Sequence, residues 1–149
     1  MQKLLAALAL LTLIVPLAQA QSPGSALGEW NTQTDKAAPE RAARVRIAPC
    51  GAALCGQISW LKTPRLPNGG VPRDDLNRDP AKRGRQIMGM AMLTGFKPEG
   101  PGRWGGGQIY NPNDGRSYKA TLSLKGADVL IVKGCYGPFC HSQTWTRVR

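Results

Sequence analysis

Alternation of apolar and polar side chains runs through most of the chain beyond residue 28. Between Ala43 and Cys50, Val45 and Ile47 alternate with Arg44 and Arg46, which is the two-residue period of a strand with one buried face. Similar patterns recur in short segments, and no long segment has helical periodicity. The pattern predicts strands at Glu29 to Gln33, Ala43 to Cys50, Cys55 to Lys62, Ile87 to Leu93, Arg103 to Tyr110, Ser117 to Lys125, Val129 to Cys135 and His141 to Val148.

Turn chemistry between the last strands indicates how they are connected. Asn111 to Gly115, Gly126 to Asp128 and the segment between Cys135 and Cys140 are rich in residues that favour chain reversal. From Arg103 onward the chain is therefore predicted to be an antiparallel meander. The whole pattern favours an all-β, antiparallel barrel of about eight strands, because closure removes exposed sheet edges. Such a barrel is either filled by side chains or holds one small ligand.

The segment IYNPNDGRSY, Ile109 to Tyr118, admits two interpretations. Its Asn and Asp oxygens could hold calcium, and the glycines just before it could cradle a phosphate group. The spacing of a calcium loop is not met, however, and no glutamate follows at the twelfth position. Strand patterns on both sides, together with Pro112 and Gly115, favour a hairpin turn.

The first twenty residues have the layout of a secretory signal peptide. Lys3 precedes an apolar run, and small residues lead to a predicted cleavage near Ala20-Gln21. The run is too short for a comfortable transmembrane span, and no later segment approaches the roughly 20 apolar residues that a span needs. We expect a single barrel domain over residues 21–149, located in the periplasm or secreted.

Four cysteines form two C-x4-C pairs, Cys50 with Cys55 and Cys135 with Cys140. If each pair brackets a hairpin loop, its members lie opposite one another at a distance that suits a disulfide. Two alternatives are a metal site built from all four thiolates and a redox-active pair. An oxidising compartment opposes the first, and the absence of C-x-x-C spacing opposes the second. Two local disulfides are therefore predicted, although four cysteines permit three connectivities.

The formal net charge of the chain is +11, which predicts attraction to anionic surfaces. The charge could simply solvate the exterior, or it could bind an anionic component of the cell envelope. Nucleic acid is not expected as a partner, because the densest basic cluster, Lys82 to Arg85, has no interleaved aromatic residues. The oligomeric state is left open.

The segment from Lys62 to Gln86 is the longest without a strand pattern, and it contains four prolines and three glycines. Loops of this length are often functional. It is either a surface loop that packs over one end of the sheet or a lid above a binding pocket. Its candidate polar groups are Asp74, Asn77 and Arg85.

Candidate ligand-binding residues are large apolar side chains in predicted strands. In Ile87 to Leu93 the three methionines would share one face, where they could line a core or pocket or bind copper(I). Sequence does not decide which face points inward. The tryptophans either pack in the core or form the wall of a cavity. The candidate ligand-binding residues are Trp30, Trp60, Met88, Met90, Met92, Trp104 and Tyr118.

Catalytic chemistry finds little support in the sequence. His141 is the one histidine, and beside Ser142 it completes no triad, so it is interpreted as an ordinary strand residue. Fingerprints of zinc proteases, nucleotide-binding loops and serine hydrolases are absent from the sequence. We predict no catalytic, metal or cofactor site, and whether the protein is an enzyme is left open.

Several motifs together resemble a known family. Gly28-Glu29-Trp30 is similar to the G-x-W motif of lipocalins, and Trp145-Thr146-Arg147 could supply the arginine that stacks across that tryptophan. Over almost the whole mature chain the sequence resembles the exported bacterial family labelled domain of unknown function 2147. The matching segments are Val45-Arg46-Ile47 through Leu61, Asp74 or Asp75 near Asn77, Trp104 through Tyr118, and Gly134 through Arg147.

The resemblance implies a lipocalin-like or calycin-like barrel but no particular reaction. The first functional hypothesis is therefore a non-enzymatic exported barrel that binds a small, partly apolar ligand in its interior. The alternative is a structural or interaction protein with a filled barrel, which contacts anionic envelope components through its basic surface.

Overall fold

Eight antiparallel strands close into a barrel in which each strand pairs with the next along the chain and the last pairs with the first. The computed structural model describes residues 24–149, so the predicted signal peptide lies outside the described residues. The strands are β1 (Gly28–Asn31), β2 (Ala43–Cys50), β3 (Ala53–Leu61), β4 (Ala91–Gly100), β5 (Arg103–Asn111), β6 (Arg116–Lys125), β7 (Val129–Tyr136) and β8 (Phe139–Arg147).

The predicted all-β meander barrel is confirmed, and seven of the eight strands begin and end within two residues of their predicted bounds. Short 3-10 helices occur at Pro39–Arg41 and Pro80–Lys82. Within residues 24–149, no helix has the length and apolar character needed to cross a membrane.

The fourth strand differs from its prediction. It begins at Ala91 and continues to Gly100, whereas the prediction placed it at Ile87 to Leu93. A turn precedes it, in which Gly89 has a φ of 80° and the Met90 amide donates to the Ile87 carbonyl at 3.2 Å. The three methionines therefore do not share one strand face.

The continuation of β4 was missed because of two residues that usually interrupt strands. Gly95 has a φ of 74°, which an irregular ladder accommodates, and Pro98 pairs with Trp104 of β5. Both residues remain inside the strand because the neighbouring strands continue the ladder around them.

Two disulfides join the predicted partners. Cys50 and Cys55 flank the β2–β3 turn with a Cα separation of 5.7 Å, and Cys135 and Cys140 flank the β7–β8 turn at 4.0 Å. The predicted connectivity is confirmed. Disulfides of this kind are typical of proteins exported to an oxidising compartment.

One end of the barrel is closed by stacked aromatic and basic side chains. The Trp30 indole N–H donates to the Ala26 carbonyl at 2.8 Å, and the Arg147 guanidinium lies 4.2 Å from the centre of the Trp30 ring. Arg147 also donates to the carbonyls of Leu27 and Ser25, both at 2.8 Å. The predicted stacking of Arg147 across Trp30 is confirmed, and it fixes the segment before β1 beneath the barrel.

The core fills the half of the barrel next to this closed end. The Phe96 ring packs directly over Gly107, and a Cβ added to Gly107 would lie only 2.5 Å from that ring. Other large side chains buried with Phe96 include Trp145, Ile47, Leu93, Leu122 and Leu130. The connections at the opposite end, between β1 and β2, β3 and β4, β5 and β6, and β7 and β8, surround the open end.

Candidate functional site

A cavity of about 760 Å³ occupies the open half of the barrel. Its walls come from the strand ends and from the connections around the open end. Volumes of several hundred Å³ are typical of pockets for small molecules. The apolar part of the wall is formed by Ile58, Leu61, Ile87, Met92, Ile109 and Val132.

The cavity exists because several inward positions near the open end carry little bulk. Gly134 lines the cavity, and a Cβ at this position would lie 3.3 Å from Ile109. Ala43 lines the wall across the barrel. No ring packs over Gly134 as Phe96 packs over Gly107, so this half is left hollow.

Two polar side chains of β8 line the hollow half. Trp145 is buried, and side chains two residues apart share one face of a strand, so Gln143 and His141 also point inward. The Gln143 Oε1 atom accepts the Trp145 indole N–H at 2.8 Å, which leaves its amide NH2 to donate elsewhere. His141, interpreted from sequence as an ordinary strand residue, does lie in β8, and it is also part of the cavity wall. Alternation counted back from Trp145 would have found it.

Charged groups of both signs surround the opening of the cavity. Arg41, Arg73, Glu40 and Asp35 contribute to its lining. Arg41 and Glu40 form an exposed ion pair at 3.8 Å, which contributes little to stability. These groups could bind the polar end of a ligand whose apolar part lies deeper.

The long loop, residues 62–86, is held against the barrel by a buried carboxylate. Asp74 is fully buried and its Oδ1 accepts the Tyr110 hydroxyl at 2.5 Å. Its Oδ2 accepts from Asn77 Nδ2 at 2.7 Å and from Arg85 Nε at 2.8 Å. We call Asp74, Asn77, Arg85 and Tyr110 the loop anchor.

The loop anchor shifts the pKa of both acidic groups. Burial raises the pKa of Asp74, but hydrogen bonds from Tyr110, Asn77 and Arg85, together with the Arg85 charge, outweigh burial, so the net pKa is lowered. Burial and the hydrogen bond to Asp74 raise the pKa of Tyr110 to about 12. The carboxylate therefore stays charged and the phenol stays neutral at neutral pH.

The β5–β6 turn forms the second contact of the long loop. The Gly115 amide donates to the Asn111 carbonyl at 2.9 Å, and Gly115 has a φ of 68°, so the predicted hairpin turn is confirmed. A Cβ at Gly115 would lie 1.8 Å from the Leu76 carbonyl oxygen. Glycine is therefore required both by backbone conformation and by the close approach of the loop.

The Tyr118 side chain joins this turn to the cavity. Its hydroxyl donates to Asp114 Oδ2 at 2.5 Å, and this hydrogen bond raises the pKa of Tyr118. The ring lines the cavity and meets Tyr136 edge to face, with 6.3 Å between the ring centres.

The candidate ligand-binding residues are dispersed in the structure. Met92 and Tyr118 line the cavity. Trp30 belongs to the closed end, Met90 is buried in the core, and Trp104 is partly buried beside Leu122. The remaining two are partly exposed: Trp60, which stacks on Arg44 at 4.9 Å, and Met88.

The polar loop candidates lie together, although not inside the cavity. Asp74, Asn77 and Arg85 form the loop anchor with Tyr110, while Asp75 is exposed beside them. The loop reaches the cavity through Leu66, Pro72 and Arg73. No local sequence signal linked the anchor to Tyr110, because the two are 36 residues apart.

Comparison with known families decides the classification of the chain. Residues 28–147 match the family described as "Uncharacterized protein conserved in bacteria (DUF2147)". The chain belongs to this family. The match spans all eight strands and the long loop.

The fold is also similar to that of a solved structure. Protein HP1028 from the human pathogen Helicobacter pylori, described as belonging to the lipocalin family, is 21% identical to this chain with a TM-score of 0.70. The similarity covers 83% of this chain and 82% of that one. Comparison with curated proteins finds no match. The lipocalin-like architecture of this DUF2147 chain is thus shown at the level of fold.

Proposed function

We propose that this DUF2147 protein is a non-enzymatic, exported binding protein that holds one small, partly apolar ligand in the open half of its barrel. The observation that carries the proposal is the cavity of about 760 Å³, which is lined by aliphatic and aromatic side chains together with polar groups and is open at one end. Burial of apolar ligand surface against this wall supplies the driving force for binding.

The polar side chains of the wall indicate the orientation of the ligand. The Gln143 amide and His141 lie on one wall, and Arg41 and Arg73 lie nearer the opening. Arg41 and Arg73 offer only N–H donors to a ligand, and the Gln143 NH2 group adds another donor, since the Trp145 bond uses the Gln143 oxygen and not its NH2 group. A ligand with an apolar body and an acceptor or anionic group at one end fits this arrangement.

The long loop is proposed to be a fixed wall of the cavity and not a mobile lid. Its buried anchor includes the charged Asp74 carboxylate, which accepts hydrogen bonds from three side chains. Opening the loop would separate Asp74 from Tyr110 and break the hydrogen bond between them. The ligand would then reach the cavity through the open end, beside the β7–β8 turn.

A periplasmic or secreted location is part of the proposal. The two disulfides support export, and the sequence pattern of residues 1–20 supports cleavage of a signal peptide near residue 20. Protein recovered from the periplasm should begin near Gln21, which intact mass spectrometry would establish.

Competition between an inserted side chain and a ligand tests the proposal. The probe is anilinonaphthalene sulfonate, a fluorescent apolar molecule with one negative charge. His141→Trp adds bulk on the cavity side of β8, whereas Ser142→Trp adds the same bulk on the outer face of the same strand. We expect His141→Trp to weaken probe binding about tenfold or more, since overpacking an occupied pocket costs about 1–3 kcal/mol. Ser142→Trp should bind like the wild type.

Native mass spectrometry of protein purified from the periplasm complements this titration. A co-purified small molecule that is lost in His141→Trp and retained in Ser142→Trp would support binding inside the barrel. Equal probe affinity in the wild type and both variants, with no co-purified molecule, would contradict it. The alternative of an interaction protein that uses only its basic exterior would then be favoured.

A further inference from the structure

Three apolar side chains at the opening of the cavity are exposed to solvent. Phe139 is 79% exposed, Tyr136 is 67% exposed and Leu66 is 41% exposed, and all three also contribute to the cavity lining. We call these three residues the apolar lip. Exposed apolar surface of this kind, gathered around an opening, is typical of a site of contact with another molecule.

The two aromatic residues of the apolar lip lie on the cavity-facing sides of β7 and β8, at the tip of the hairpin where the barrel wall ends. Tyr136 and Phe139 pair directly across a two-residue turn of Gly137 and Pro138. The Cys135–Cys140 disulfide closes the ladder immediately behind them. The rings therefore stand at the rim of the cavity, where most of their surface remains exposed to solvent.

The two ends of the barrel also differ in charge. The connections at the open end, residues 32–42, 62–90, 112–115 and 137–138, carry nine basic and six acidic side chains, a difference of +3. The segments at the closed end, residues 24–27, 51–52, 101–102, 126–128 and 148–149, carry Asp128 and Arg149, a difference of zero. The basic side chains at the open end are Lys36, Arg41, Lys62, Arg65, Arg73, Arg78, Lys82, Arg83 and Arg85.

We propose that the protein docks its open end on the surface of an anionic lipid bilayer, with Phe139 and Tyr136 inserted at the level of the headgroups. Tyrosine is favoured at that depth, where its ring is in contact with lipid and its hydroxyl remains hydrated, and phenylalanine adds apolar surface for insertion. Basic side chains in the connections at the same end are attracted by the negative surface potential of anionic lipids. Neither feature alone gives firm attachment, and their combination at one end of the molecule gives both affinity and orientation.

Docking in this orientation places the opening of the cavity against the bilayer. A sparingly soluble ligand could then pass between lipid and cavity without crossing bulk water. This consequence rests on the proposed ligand-binding function, whereas the docking itself does not, because the apolar lip and the basic connections are present whether or not the cavity is occupied.

Sedimentation with lipid vesicles tests the proposal. One set of vesicles contains equal parts of phosphatidylglycerol and phosphatidylcholine, and the other contains phosphatidylcholine alone. Wild-type protein should bind the anionic vesicles, and the double variant Tyr136→Ser/Phe139→Ser should bind them about tenfold or more weakly. Ala52→Ser is the control, since Ala52 is exposed in the β2–β3 turn at the closed end, and it should bind like the wild type.

A second measurement reports insertion directly and keeps the apolar character of the tip. Phe139→Trp and Ala52→Trp, the latter at the closed end, are compared in anionic vesicles that contain brominated phospholipids, which quench nearby tryptophan emission. The native tryptophans contribute equally to both, so greater quenching in Phe139→Trp shows that the tip enters the bilayer.

Three results would overturn the proposal. Absence of binding to anionic vesicles removes it outright. Equal binding by the wild type and the double variant shows attraction by charge alone. Equal quenching of the two tryptophan variants shows that the apolar lip does not enter lipid. If Tyr136→Ser/Phe139→Ser alone loses self-association in analytical ultracentrifugation, the apolar lip contacts a second copy of the chain instead. Probe binding without vesicles tests the proposed ligand-binding function separately.

Discussion

Replacing Asp74 with asparagine tests whether the buried carboxylate holds the long loop on the barrel. The substitution preserves shape, but the side-chain amide NH2 group takes the place of one oxygen. At the Oδ2 position this group would face two donors, from Asn77 and Arg85, so it is expected at Oδ1, facing the Tyr110 hydroxyl. The charge-assisted bond from Tyr110 is then lost, and the remaining bonds lose the charge of their acceptor.

The magnitude follows from these contacts. A hydrogen bond to a charged group contributes about 1.5–3 kcal/mol, and breaking a fully buried ion pair costs about 3–5 kcal/mol. The ion-pair contribution must be discounted, because the Arg85 side chain is 38% exposed and its charge is partly screened by solvent. We therefore expect Asp74→Asn to lower the free energy of unfolding by about 2–3 kcal/mol.

Urea denaturation with intact disulfides measures this change, and Asp75→Asn is the matched control. Asp75 is adjacent and exposed, so its substitution should leave the denaturation midpoint unchanged. The pH dependence supplies a second check. The folded pKa of Asp74 is lowered, so its stabilising contribution is present above the unfolded value of about 3.9 and is lost as pH falls through the folded pKa.

The difference in stability between wild type and Asp74→Asn should therefore be constant near neutral pH and narrow below about pH 4. Two outcomes would refute the reasoning about the loop anchor. One is equal destabilisation by Asp74→Asn and Asp75→Asn. The other is a difference between wild type and Asp74→Asn that does not change with pH in the acidic range.

Other parts of the structure give further predictions. Gly115→Ala should lower the free energy of unfolding by about 2 kcal/mol or more, because position 115 has a positive φ and a Cβ there would clash with the Leu76 carbonyl. Faster trypsin cleavage within residues 62–86 and a lower urea midpoint would establish this. Arg147→Lys should lower the free energy of unfolding by about 2–3 kcal/mol, as chemical denaturation would measure. Lysine keeps the charge, but it cannot stack a planar group on Trp30 or donate to several carbonyls at once. The folded pKa of Tyr110 is about 12, above the unfolded value of about 10, so the protonated hydroxyl contributes its full stabilisation below pH 10 and loses it as the pH rises to about 12. The difference in free energy of unfolding between wild type and Tyr110→Phe should therefore decrease over this range, which denaturation at alkaline pH would measure.

Local sequence patterns predicted the strands and the disulfides well because both depend on neighbouring residues. The alternation at Val45 and Ile47 indicates a strand with one buried face, and it does so without any knowledge of which residues pack against that face. The C-x4-C spacing likewise places the two cysteines across a hairpin. The start of β4 was predicted wrongly because Met88 and Met90 continue the alternation through a turn that depends on Gly89.

The site was harder to predict, because its parts meet only through tertiary contacts. A buried tryptophan in a barrel strand can fill the core or line a cavity, and its identity does not say at which end it lies. Trp30 fills the closed end, while the less conspicuous Gln143 and His141 line the hollow half. Likewise Asp74 and Tyr110 belong to segments with separate local patterns, so neither pattern showed that one anchors the other.

The two halves of the barrel are stabilised by different means, and this difference bears on function. The closed half is held by close packing around Phe96 and Trp30. The hollow half lacks such a core, and it is held instead by the Asp74 anchor, the Cys135–Cys140 disulfide and the Gly115 turn. Hydrogen bonds and a disulfide hold the barrel wall in place without filling the interior, whereas close packing of large side chains there would remove the cavity. A ligand in that space would supply the missing apolar contacts, and the free energy of its binding would be gained by the folded state.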